Sequence, residues 1–175
     1  MRLYEPPFRP VWTEDKCTAE LAQVLTTNEQ AKTLLGAIQT LNRQVLRRGI
    51  TCRPCHGTMQ VDRMGYYDGS YQRIVLCCDN IRSREDLEDT LLHELVHAFD
   101  AARSGKFTSI CHLIACGEVR ASTLGQCRDI QPEHKRRQCI WRDAVLSTKA
   151  HCGEQAANIV QQVFDSCMKD TTPLQ

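Results

Sequence analysis

Leu91-Leu92-His93-Glu94-Leu95-Val96-His97-Ala98-Phe99-Asp100 sets two imidazoles four residues apart inside an apolar run. On a helix, residues i and i+4 share a face, with Cβ atoms about 5–6 Å apart. His93 and His97 can therefore each offer a ring nitrogen to one tetrahedral metal ion. Glu94 projects beside them, placed to take a proton from water rather than to ligate. Leu91, Leu92, Leu95, Val96 and Phe99 surround this polar triplet. Buried polar side chains in such company need a partner. A metal ion is the natural one, and an ordinary amphipathic helix with two satisfied histidines is the alternative.

A catalytic zinc site takes three protein ligands and leaves one position to water. The candidates for the third ligand are Asp100, His112 and Glu118. Glu118 lies 21 residues past His97, in Cys116-Gly117-Glu118-Val119-Arg120-Ala121. On the next helix it could approach the ion from the open side. Asp100 sits one turn beyond His97 on the same helix, where it is expected to orient an imidazole from behind. A solvated last-turn carboxylate is its bland alternative, although a negative charge there opposes the helix dipole.

Working outward, Ser83 can cap a helix over 84–102, with Asp86 in its first turn and Gly105 after its end. Upstream, Thr18 to Arg48 reads as helical, with a stripe of Leu34, Leu35, Ile38, Leu41, Val45 and Leu46. Thr26-Thr27-Asn28 breaks it in two, and Thr27 followed by Gln30 has the form of a capping box. Between Ile50 and Cys78 the pattern changes. Thr58–Val61 and Tyr71–Leu76 read as strands of a small antiparallel sheet. Helices are expected again near 108–124, 132–149 and 153–168. The chain is thus an α+β fold, mostly helical. Residues 1–16, with Pro6, Pro7 and Pro10, form an extended arm, and residues 17–175 form a single domain.

Lys and Arg number 22 against 21 Asp and Glu, for a net charge of +1. No nucleic-acid partner is expected from so even a balance. Arg47-Arg48 and Lys135-Arg136-Arg137 read as solvated helix faces. No apolar run approaches the roughly 20 residues that cross a bilayer. The start, Met1-Arg2-Leu3-Tyr4-Glu5-Pro6-Pro7, lacks the apolar core of a signal peptide and the character of an amphipathic transit segment. Cysteine is the outlier at 11 residues, an odd number, so at least one has no intramolecular partner. Cys52-Arg53-Pro54-Cys55 with Cys77-Cys78 could form a zinc knuckle or disulfides. Disulfides are the preferred reading, because Cys127, Cys139, Cys152 and Cys167, at gaps of 12, 13 and 15, suit stapling helix to helix. Cys116 near His112 as a nucleophile is the weakest reading.

Several motifs in order carry a resemblance. The first runs from Leu87-Glu88-Asp89-Thr90 through Asp100. The second is Ala115-Cys116-Gly117-Glu118-Val119-Arg120-Ala121-Ser122, then Leu124 and Cys127-Arg128. Cys139, Arg142, Ala144 and Ser147 follow, then Cys167, Asp170, Thr171 and Pro173, with Cys52, Cys55 and Cys77 upstream. Over about Cys17 to Pro173 the chain resembles the mitochondrial inner-membrane metalloprotease family that matures a subunit of ATP synthase and assists its assembly.

The resemblance implies a zincin-like domain holding one catalytic Zn²⁺. His93, His97 and Glu118 are the expected ligands and Glu94 the proton carrier, which leaves Asp100 and His112 to roles behind the ligands. It also implies the intermembrane space, peripheral attachment to the inner membrane, and import by the oxidative machinery of that compartment. The implied substrate is the precursor of a membrane-embedded ATP synthase subunit. An assembly chaperone whose metal site is structural or dispensable is the alternative. Many relatives carry a His pair where this chain has Leu113 and Ile114, and Cys78 and Cys111 look like additions.

Overall fold

Thr13 accepts a hydrogen bond from the Lys16 N–H and opens helix α1 (Glu14–Thr27). The computed structural model describes residues 10–103 and 105–174. Residues 1–9 of the expected arm lie outside the described residues, and α1 takes up residues 14–16. Asn28, not Thr27, opens α2 (Glu29–Asn42), its side chain accepting from the Ala31 N–H at 2.9 Å. An N-cap needs extended backbone, which Asn28 has (φ −85°, ψ 108°). Thr27 remains helical and donates its hydroxyl to the Gln23 carbonyl.

The sheet is mixed, which corrects the antiparallel expectation. Strand β1 (Ile50–Arg53) runs parallel to the central β3 (Arg73–Cys77), and β2 (Gly65–Asp68) pairs antiparallel on its other side. Thr58–Val61 is turn rather than strand. The Thr58 hydroxyl donates to the Cys55 carbonyl at 2.7 Å and accepts from the Gln60 N–H at 3.1 Å. These local bonds compete with strand pairing.

Helix α3 (Arg84–Ala102) is capped by Ser83 as expected, and buries Leu87, Leu91, Leu92, Leu95, Val96, Ala98 and Phe99. It is the axis of the molecule. One core gathers α1, α2, β1, β3 and most of α3. A second lies among α4 (Ile110–Leu124), α5 (Glu133–Cys152) and α6 (Ala156–Lys169). Helix α4 packs on α3 as well as on α5 and α6, so it joins the two cores.

Five disulfides fasten this arrangement: Cys17–Cys52, Cys55–Cys77, Cys111–Cys152, Cys116–Cys167 and Cys127–Cys139. Cys78 is free and buried. Cys52, Cys55 and Cys77 therefore form no zinc knuckle, and Cys116 is no nucleophile. The sequence separations of 12 to 51 residues correspond to about 3–4 kcal/mol each, in the view that a crosslink acts by restricting the unfolded chain.

The fully buried Arg120 makes a further tie. Its guanidinium binds Asp100 of α3 at 3.1 Å, the Thr172 carbonyl at 2.6 Å and the Asp170 carboxylate at 3.0 Å. A buried guanidinium is tolerable only with such a full set of acceptors.

Candidate metal centre and cleft

His93 and His97 project from one face of α3 towards α4. Their Nε2 atoms stand 3.2 Å apart. Glu118, from the middle of α4, places Oε2 3.5 Å from His93 Nε2 and Oε1 3.4 Å from His97 Nε2. Donors held about 2.0–2.1 Å from a tetrahedral ion are separated by about 3.3–3.4 Å. The two imidazole nitrogens thus stand close to the spacing of two corners around one cation, and Glu118 brings one carboxylate oxygen near each of them. Glu118 Oε2 is buried without a hydrogen-bond partner, a costly state that a cation would relieve. The donor set, two imidazoles and a carboxylate, suits zinc.

The charges say the same. Burial works against a proton on His97, but the facing Glu118 carboxylate, helped by Glu94 and Asp100, lifts its pKa to about 9. His93 is also raised against the pull of burial, through Glu118 and Glu94. Burial pushes Glu118 up, yet the two imidazoles hold it well below the usual carboxylate range. The cluster prefers a positive charge at its centre. Cys127, Cys139 and Asp143 also lie close together, but both thiols are consumed in a disulfide.

Two of the candidates go elsewhere. Asp100 does not orient an imidazole: it binds Arg120, and Arg103 at 3.0 Å. Its charge reaches His97 without a hydrogen bond. The His112 ring meets Ser109 at 2.7 Å and Gln162 at 2.9 Å, and does not line the cleft around the histidines. The group that orients an imidazole is Gln126, whose Oε1 lies 2.9 Å from His93 Nδ1. Gln126 Nε2 donates in turn to Ser122 and Asp143, both at 3.2 Å. No ligand-spacing rule connects positions 33 residues apart, so the sequence carried no signal for it.

Glu94 is buried, and its Oε2 accepts the Tyr67 N–H at 2.9 Å. The geometry of β2 explains this bond. Cys77 donates to the Met64 carbonyl at 2.7 Å. In an antiparallel ladder the bonded pairs alternate, so Gly65 and Tyr67 turn their polar groups away from β3. Gly65 lets the strand sit on α3. A Cβ there would stand 2.7 Å from Thr90 Cγ2 and 2.9 Å from the Val75 carbonyl. A cleft of about 670 Å³ opens over the site. Tyr66, Asp68, Leu113, Ile114, Ser147 and His151 line it beside the polar cluster.

By its sequence the chain falls in the class of peptidases. A zebrafish relative (Danio rerio) is 33% identical over 173 residues, 90% of this chain and 66% of its own. A human relative is 33% identical over 177 residues, 92% of this chain and 70% of its own. One from Lodderomyces elongisporus is 35% identical over 179 residues, 92% and 72%. The first two are named mitochondrial inner membrane protease ATP23 homolog, the third mitochondrial inner membrane protease ATP23. The chain thus spans about two thirds of the zebrafish relative's length. The Peptidase M76 family model matches residues 15–175, and the chain belongs to that family. No solved structure gives a significant match.

Proposed function

We propose that the chain is a zinc-dependent endopeptidase, with residues 17–175 as its catalytic domain. His93, His97 and Glu118 hold one zinc ion, and Glu94 transfers the proton. The observation that supports this reading most directly is the approach of the two imidazole Nε2 atoms to 3.2 Å, with one Glu118 oxygen 3.4 Å from His97 and the other, buried and partnerless, 3.5 Å from His93. When bound, the ion supplies Lewis-acid polarisation of a carbonyl and acidification of water.

The chain's own groups do the rest. Gln126 accepts the Nδ1 proton of His93, which leaves the Nε2 lone pair facing the site. The Tyr67 N–H holds Glu94 Oε2. Glu94 Oε1 accepts no hydrogen bond from the described residues and is free to take a proton from the attacking water. The same carboxyl then returns that proton to the leaving amine. Such positioned transfer contributes about 100- to 10,000-fold.

The substrate is a protein. By the family resemblance it is the N-terminus of a membrane-embedded ATP synthase subunit precursor, whose assembly the chain also assists. The relatives' names support the inner membrane as the setting. No helix among the described residues is long and apolar enough to cross a membrane, and the attachment we propose is peripheral. Five disulfides favour an oxidising compartment, here the intermembrane space, with import by oxidative trapping.

The test is a zinc count together with hydrolysis of the candidate precursor by wild type and Glu94→Gln. Both should hold one zinc per chain, and the variant should lose hydrolysis by about 100- to 10,000-fold. Loss of zinc in the variant, or near-normal turnover, would show that Glu94 has been given the wrong role.

A further inference from the structure

Six of the ten large hydrophobic side chains exposed among the described residues stand on two segments. Met59, Val61 and Met64 precede β2, and Phe107, Ile110 and Leu113 surround the start of α4. Both segments border the cleft: Gln60 and Arg63 of the first line it, as do Leu113 and Ile114 of the second. The cleft therefore has two apolar lips. Met59 is 97% exposed and Ile110 76%, so these two side chains protrude. The others, Val11, Leu41, Tyr71 and Leu146, are spread over the chain, as single exposed apolar residues ordinarily are.

Basic side chains flank the lips. Arg53, Arg63 and Lys106 are exposed, and Asp62 is the only acidic residue in 53–64 and 105–114. The chain as a whole is nearly neutral, at +1, so this is a local excess.

A protein partner wants a contiguous apolar centre with a polar rim. Here the order is reversed, with a polar cleft in the middle and apolar tips on either side. A lipid interface can take separate tips one by one, while basic side chains next to them meet anionic headgroups. We propose that the two lips dock the cleft onto an anionic lipid surface, so that the cleft opens at the bilayer interface. The lipid contact gives the peripheral attachment proposed above its surface, and rests on that reading for its setting. Its use, offering the cleft to the end of a membrane-embedded substrate, rests on the peptidase reading above.

The experiment is flotation of the purified protein with phosphatidylcholine vesicles, with and without phosphatidylglycerol, beside cleavage of a short soluble peptide. Wild type should float with the phosphatidylglycerol vesicles, less so as salt rises. Met59→Asp and Ile110→Asp should each lower the bound fraction roughly tenfold or more, and Lys106→Ala about fivefold. Leu146→Asp, an exposed apolar position elsewhere, should bind like wild type. Peptide cleavage should be unchanged in all four variants, which shows the fold intact. Failure of wild type to float overturns the proposal. So does unchanged binding by a Met59→Asp/Ile110→Asp double variant, or a loss in Leu146→Asp equal to that in the lip variants. A wild type that floats as described but cleaves nothing supports the docking surface and overturns the peptidase reading.

Discussion

Replacing Gln126 by Met keeps the side-chain length and removes the acceptor that fixes His93. The bond lost is the 2.9 Å contact between His93 Nδ1 and Gln126 Oε1. Gln126 is itself anchored by its 3.2 Å donations to Ser122 and Asp143, so it presents that acceptor in one place. A single neutral hydrogen bond is worth about 0.5–1.5 kcal/mol net, or roughly 2- to 13-fold in a binding constant. Groups that orient a metal-bound histidine are worth about 10- to 100-fold. The two ranges meet near tenfold, and that is the expected loss of zinc affinity in Gln126→Met. The assay is competition for zinc against a chromophoric chelator. Gln126→Ala serves as a second variant, and thermal unfolding of the metal-free proteins checks that the fold survives. If Gln126→Met holds zinc within twofold of wild type, the hydrogen bond does not orient the ligand and the tautomer argument fails.

Alkylation of the denatured, unreduced protein should label one thiol, Cys78, whose burial pushes its pKa up in the folded state. Labelling of eight or more cysteines would dismantle the disulfide framework. Gly65→Ala should destabilise the fold by about 1–3 kcal/mol, because its Cβ would meet Thr90 Cγ2 at 2.7 Å and the Val75 carbonyl. It should also slow hydrolysis through the displaced Tyr67 N–H. A variant as stable and active as wild type would show that β2 shifts without consequence. Burial would raise the Asp170 pKa, but Arg103, Thr172 and Arg120 outweigh it and the group is lowered. A depressed carboxylate adds stability above its unfolded pKa, near about 4, that is lost as pH falls through the folded value. Asp170→Asn should therefore cost about 1 kcal/mol at pH 7, the group being partly exposed. That difference should shrink as denaturation curves are taken below about pH 4. A constant difference down to strong acid would contradict the linkage.

How much of this could be read from the residues depended on how local the cause was. Helix α3 was legible to its ends because its cap Ser83 directly precedes it, and Asp86 and a dense apolar run lie within it. Its histidines follow from the i, i+4 rule alone. Glu118 was a candidate because Gly105 and its neighbours allow the next helix to fold back over α3, and its carboxylate does lie 3.4 and 3.5 Å from the two imidazoles.

Asp100 was misjudged because its partner, Arg120, is 20 residues away and fully buried. Nothing local distinguishes an aspartate awaiting a guanidinium from one awaiting an imidazole. The parallel pairing of β1 with β3 was hidden for a similar reason. No helix connects them, and the crossover passes through a turn and β2 instead. Thr58–Val61 looked like a strand by side-chain type, yet the Thr58 hydroxyl satisfied the backbone locally. The lips could not be seen at all, because exposure of Met59 and Ile110 is decided only once the cleft exists.

The central claim is that Glu118 completes a zinc site with His93 and His97. Its most direct measurement is the zinc stoichiometry and affinity of Glu118→Gln, with His112→Ala and Asp100→Asn alongside. The account predicts that Glu118→Gln loses zinc, while His112→Ala, whose ring bonds to Ser109 and Gln162, keeps one ion per chain. Asp100→Asn should keep it too, with a less stable fold, since Arg120 loses an acidic partner. Retention of zinc as tight as wild type by Glu118→Gln, with loss in either of the other two, would contradict it.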